Sequence, residues 1–263
     1  MSYPNVIYGK FGDEKVAQAT KIGGLPVGVL MVLPDGREFH QVRASSTAEV
    51  VAGNLTTAAA VVADHGCGTA DNLVVAAATI GASSIIVTMG GTTATTKDQY
   101  ADGYLGVRDD KGEGQIYRIK SHNAAAAAST CTVALELGDE VAVAIAATAT
   151  VSLVANPYAA ILTRPAGTAC VGPITGVPQV ALPANSYGWA LTKGLGMGLT
   201  AATAIVIGEP VVSHTAVAGA VGPVTTAAGS AATTISGLEA DILGRVRVVG
   251  IDTEYSVIDW KIK

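Results

Sequence analysis

Asp109-Asp110-Lys111-Gly112-Glu113-Gly114-Gln115-Ile116-Tyr117-Arg118-Ile119-Lys120 carries a β-hairpin signal within twelve residues. Asp109 to Gly114 is a run of turn formers, and from Gln115 onward polar and apolar side chains alternate, the period of a strand with one face buried. Ile116 and Ile119 fall out of phase in that alternation, so the reading includes a twist or a small bulge. Just upstream, Ala101-Asp102-Gly103 marks a turn ahead of a strand at Tyr104 to Val107, and Ser84 to Met89 is a β-branched run. Farther back, Val27 to Leu33 and Glu38 to Val42 flank Pro34-Asp35-Gly36, a second hairpin. Downstream, Cys131 to Leu137 and Thr148 to Val154 alternate as strands, while the five alanines from Ala124 are too few to nucleate a helix and read as a loop or one turn.

Ser45 to Ala63 is mixed. Ser46 with Glu49 resembles a helix capping box, but Gly53, Asn54 and the β-branched residues oppose it, and the segment leans to strand. Past Asn156-Pro157, the cluster of Pro165, Gly167, Gly172, Pro173, Gly176 and Pro178 reads as a linker. Strand candidates follow at Tyr187 to Thr192, Ala204 to Ile207, Pro210 to Val212, Arg245 to Ile251 and Ser256 to Lys261. No repeat of 20 to 50 residues emerges, and strands do not alternate with helices. The expected fold is therefore all-β, with one or two small β-sandwich or β-barrel domains. The expected division is an extended N-terminal arm at 1–26, a β domain at 27–163, a Pro/Gly-rich linker at 164–180 and a C-terminal β domain at 181–263.

The 263 residues are 49% hydrophobic but only 5% aromatic, with two Phe, so small side chains must fill the interior. Charged residues make up 14% of the chain, against about 25% in an average soluble domain. A surface of Thr, Ser, Gly and Ala is poorly protected against association, which points to a component of an assembly. A net charge of −5 argues against a nucleic-acid partner. No apolar run is long enough to cross a bilayer, so no membrane partner is expected. The first ten residues lack the basic start and apolar stretch of an export signal. Cys67, Cys131 and Cys170 are an odd number with no disulfide framework, which fits a reducing compartment and small buried hydrophobes.

Asp64-His65-Gly66-Cys67 places a carboxylate, an imidazole and a thiol side by side, but neighbours on one short loop rarely reach the geometry of nucleophile, base and orienting group. It reads as turn or core packing. Four His and three Cys show no paired metal-ligand spacing, so no metal is expected. Asp109, Asp110 and Glu113 lack calcium-loop spacing and read as a solvated hairpin tip. Gly194-Leu195-Gly196-Met197-Gly198 has no Lys-Ser or Lys-Thr after it and reads as a flexible turn rather than a phosphate loop. No catalytic residue, cofactor or metal is assigned, and the chain reads as non-enzymatic. Trp189 and Trp260 are scarce large rings, read either as core anchors or as contact hot spots.

Two sets of segments resemble a known group. Gln99 to Leu105, Gly112 to Lys120 and Val151 to Tyr158 look like structural proteins encoded near the capsid genes of tailed bacteriophages. Tyr187 to Thr192, Ile207 to Ser213 and Ala218 to Val221 resemble the same group, and capsid decoration proteins more generally. The resemblance implies a virion protein on the capsid surface, assembled in the host cytoplasm. Its implied partners are the major capsid protein and further copies of itself, as a trimer. The candidate subunit or capsid contacts are Tyr3, Tyr8, Phe11, Trp189 and Trp260, the first three lying in the expected arm, outside the resembling stretches. The alternative is a head or tail fibre component that recognises a host-cell surface.

Overall fold

The computed structural model describes residues 6–66, 73–167, 172–201, 205–224, 242–251 and 254–262. Tyr3, Cys67 and Cys170 lie outside them. The described residues are almost entirely strand and loop, so the all-β expectation holds. The chain forms two compact units, one of Met1–Ala59 with Pro157–Lys263, the other of Ala60–Asn156. This corrects the expected partition at 164–180: the second unit is inserted into the first.

The first unit begins with β1 (Val6–Tyr8), β2 (Leu30–Val32), β3 (Glu38–Arg43) and β4 (Thr56–Thr57). The inserted unit contains a helical turn, α1 (Ala63–Gly66), and the strands β5 (Leu73–Val75), β6 (Ser84–Thr88), β7 (Tyr104–Val107), β8 (Ile116–His122), β9 (Thr130–Leu135) and β10 (Thr150–Val154). The first unit resumes with β11 (Leu162–Thr163), β12 (Ile174–Pro178), β13 (Tyr187–Leu199), β14 (Pro210–Ser213), β15 (Val221–Pro223), β16 (Gly244–Val248) and β17 (Tyr255–Lys261). Ala204 to Ile207 was expected as a strand; its described part, from Ile205, is not one.

Among the described residues, the inserted unit is a closed antiparallel barrel in the order β5-β6-β9-β8-β7-β10, with β10 returning to β5. Alternation puts Leu73, Val75, Ile85, Val87, Leu105, Tyr117, Ile119, Cys131, Val133, Val151 and Leu153 inside. The hairpin of Asp109–Gly114 joins β7 to β8 as read from the sequence. The phase slip is resolved by turning Ile116 outward, 62% exposed, while Tyr117 and Ile119 point inward. A register irregularity follows between Ile119 and Ser121.

In the first unit, β13 is the spine, pairing antiparallel with β3 on one side and with β17 on the other. The β2–β3 hairpin forms across Pro34-Asp35-Gly36, with Gly36 at φ +82°. Ile174–Pro178, expected within the linker, is strand β12 and pairs with both β13 and β4. The expected arm is also corrected. Its described residues are tied down: β1 runs parallel to β2, Gln18 bridges Tyr187, and Ile7 packs on the core of Met31, Phe39, Trp189 and Leu191. That packing offsets the ordering cost that an isolated polar segment cannot meet.

Candidate functional site

The residues with apparent chemistry are consumed by the fold. Asp64 accepts hydrogen bonds from both the main-chain N–H and the hydroxyl of Thr92. His65 lies buried, with Nδ1 2.6 Å from the Tyr100 hydroxyl and Nε2 3.1 Å from the Thr93 carbonyl. The Tyr100 main-chain N–H donates to Nε2 of His122, which leaves the His122 proton on Nδ1, 2.9 Å from the Asn123 carbonyl. Cys131 sits at the end of this chain, its sulfur 3.6 Å from His122 Nδ1, and burial pushes its thiol pKa up, away from the reactive thiolate. Burial likewise raises the Tyr100 phenol. His65, Tyr100 and His122 are thus linked by hydrogen bonds within the inserted unit, and sequence reading missed the link because successive members lie 35 and 22 residues apart.

The hairpin-tip carboxylates are also used internally. Asp109 accepts the Thr150 main-chain N–H at 2.6 Å, and that bond holds its carboxyl below the usual range. Asp110 accepts the Thr148 hydroxyl and the Lys111 N–H. The tip is therefore anchored to the neighbouring strand end by its acids.

Gly194 to Gly198, expected as a flexible turn, is the C-terminal half of β13. A register shift between Leu191 and Lys193 changes which residues face inward. Before the shift Trp189 and Leu191 point into the core. After it the glycines do, and Leu195 and Met197 point outward. A Cβ on Gly198 would collide with the Trp260 ring and lie 2.9 Å from Ile258; one on Gly196 would collide with Leu191. The glycines are where large neighbours fill the space. Trp189 and Trp260 are 3% and 1% exposed, so they anchor the core and are removed as contact candidates.

What remains accessible is surface for contact. On the outer face of the first unit, Leu195, Met197, Val248 and Tyr255 are exposed on three adjacent strands. Met197 and Val248 both lie opposite Val257, and Leu199 lies opposite Tyr255. Arg247 and Asp259 form an ion pair beside this row. On the barrel, the four successive strands β10, β5, β6 and β9 carry no charged side chain, and their outward positions are Val74, Ser84, Ile86, Thr88, Thr130, Thr132, Ala134, Thr150, Ser152 and Val154. Of the N-terminal candidates, Tyr8 is 86% and Phe11 63% exposed. Among the described residues no helix is long and apolar enough to cross a membrane. Compared with family models, curated proteins and solved structures, the chain matches none.

Proposed function

We propose that this chain is a non-enzymatic capsid decoration protein that binds the outside of an assembled phage head as a homo-oligomer, a trimer in this reading, and stabilises it. The observation that carries the reading is the exposed row of Leu195, Met197, Val248 and Tyr255, held in register on rigid paired strands. Large apolar side chains ordered outward in this way mark a surface meant to be covered. The uncharged wall of the barrel supports the same reading, because it meets another protein without the cost of stripping water from ions. Many such weak contacts, repeated by symmetry, clamp neighbouring capsomers through avidity. The fibre alternative draws less support, since Trp189 and Trp260, its natural sugar platforms, are buried.

The test is co-sedimentation of the purified protein with expanded heads that lack it, together with its mass by light scattering. Saturable binding at a fixed ratio to the capsid protein is expected. A well-folded oligomer that stays in the supernatant overturns the proposal.

A further inference from the structure

Charge is divided unevenly between the two units. Ala60–Asn156 holds ten acidic and five basic residues, so it carries the whole net charge of −5, while the flanking segments hold eleven of each. Within the inserted unit the charge is uneven again. The chain enters the barrel through β5 and leaves it through β10 at one end, and the loops 76–83, 108–115 and 136–149 all lie at the other. Those three loops hold six of the ten acids and only Arg108 and Lys111 as bases, a net charge of −4. Of the unit's other bases, Arg118 is turned toward Tyr104, with Nη1 3.2 Å from the hydroxyl, and Lys97 and Lys120 lie off these loops.

The three loops are bonded into one cap. Ala78 and Ile145 exchange main-chain hydrogen bonds, Val141 N–H donates to the Ala82 carbonyl, Gly81 N–H donates to that of Val141, and Ala146 N–H reaches the Lys111 carbonyl. Val141, Ile145 and Ala149 belong to the barrel core, which fixes the cap from below. Three of its acids are held by main-chain N–H groups: Asp109 by that of Thr150, Asp110 by that of Lys111 and Asp139 by that of Arg118. Bonds of this kind favour the charged carboxylate and leave its charge in place. Glu113 and Glu140 are exposed, and their carboxylates have no partner among the described residues. On the same cap Ile80 is 70% and Leu137 82% exposed, and Val143 is exposed as well. Ile80 and Val143 lie on facing segments, between the Ala78–Ile145 and Ala82–Val141 bonds. The cap therefore presents large apolar side chains within a fixed acidic rim.

We propose that this cap is a docking site for a basic segment of a different protein, one that carries Lys or Arg together with apolar side chains. The apolar side chains cover Ile80, Leu137 and Val143, and the cations meet the acidic rim, where Glu113 and Glu140 are free to pair. Charge chooses among the occupants. Two copies of the cap repel one another, as do the cap and nucleic acid or an anionic lipid surface, so a basic protein is the partner whose charge fits. Because the loops are already held to one another, little conformational entropy is lost on docking. The inference rests on the inserted unit alone and stands whether or not the chain binds a phage head.

The test is titration of the 15N-labelled full chain with the capped peptide Ser-Arg-Leu-Arg-Val-Arg-Ser, with a counterpart in which each Arg is Glu, and with one in which Leu and Val are Ser. Expected with the first peptide are amide shifts confined to residues 76–83, 108–115 and 136–149, weakening as salt is raised. The Glu peptide should give none, and the peptide without Leu and Val should bind roughly tenfold more weakly. The E113K/E140K variant should bind the first peptide at least about tenfold more weakly, and I80S/L137S should no longer distinguish it from the peptide without Leu and Val. All four side chains are exposed, so both variants keep the melting temperature of the parent. Shifts absent from the cap or spread over the surface, binding of the Glu peptide, or equal binding of the two Arg peptides by the parent overturns the docking site, whatever the capsid experiment shows.

Discussion

Gly198 and Gly106 both sit in strands, yet their surroundings differ. A methyl group on Gly198 would meet the Trp260 ring and Ile258, whereas a methyl on Gly106 would have nothing within 4 Å. Gly198→Ala should therefore destabilise the protein by about 1–3 kcal/mol through overpacking. Gly106→Ala should be neutral or slightly stabilising because it restricts the unfolded chain. Urea midpoints of the two variants check the contrast. His40 gives a pH signature. It stacks on Tyr158 with ring centroids 4.9 Å apart and lies 3.2 Å from the Thr192 hydroxyl. Burial lowers its pKa below the ordinary 6.5, with the Glu38 carboxylate acting weakly in the opposite direction. Between the folded and unfolded pKa values the unfolded chain binds more protons, so stability rises with pH across that window. The contribution is fully present above about pH 6.5 and is lost as the pH falls toward the folded value. His40→Gln should remove this part of the slope, as read from urea midpoints between pH 8 and 5.

At the scale of elements, β13 shows what the sequence revealed and what it concealed. Period-two alternation located β3, β8, β9 and β10 within a few residues, because each has one buried and one exposed face, while composition and flanking turns located β6 and β17 nearly and β7 at its observed bounds. β13 was legible only to Thr192. Beyond it, glycine replaced the inward hydrophobic, and the cue left in the sequence, Leu and Met at every second position, was read as turn composition. β1, β4, β5, β11 and β15 have two or three residues, too few to show a period, and β12 is buried along nearly its whole length, so it has no alternation to show. Of the candidate contacts, Tyr8 and Phe11 are exposed while both Trp residues are interior, since ring size alone does not distinguish a core anchor from a hot spot. The outward row on β13 yields its own prediction. Leu195→Lys with Met197→Lys should leave the melting temperature nearly unchanged, within the roughly ±0.5 kcal/mol typical of exposed sites. The same double variant should abolish head binding and reduce the oligomer mass, as read by co-sedimentation and light scattering.

At the scale of the whole molecule, the partition into Ala60–Asn156 and the two flanking segments escaped sequence reading because strand composition carries no record of which distant strand it pairs with. The Pro and Gly cluster near residue 170 reflects turns around β12; of the real junctions, 156/157 coincides with the Asn156-Pro157 turn that closes the strand run, and 59/60 carries no conspicuous composition. Each unit has its own apolar core, so the 60–156 fragment expressed alone should unfold cooperatively, with a single urea transition seen alike by circular dichroism and Tyr fluorescence. A non-cooperative fragment would show that its barrel depends on the rest of the chain.

The insertion also sets a timetable for synthesis. β3 ends at Arg43 and its partner β13 begins at Tyr187, with the barrel sequence translated between them. At about 5–20 residues per second, the β2–β3 hairpin emerges roughly 7–30 seconds before the strand that covers it. Until then Met31 and Phe39 lack the neighbours on β13 that bury them, while every strand of the barrel, contiguous in sequence, has already been made. The order of synthesis thus leaves an apolar hairpin uncovered for the whole time that the inserted unit is being translated.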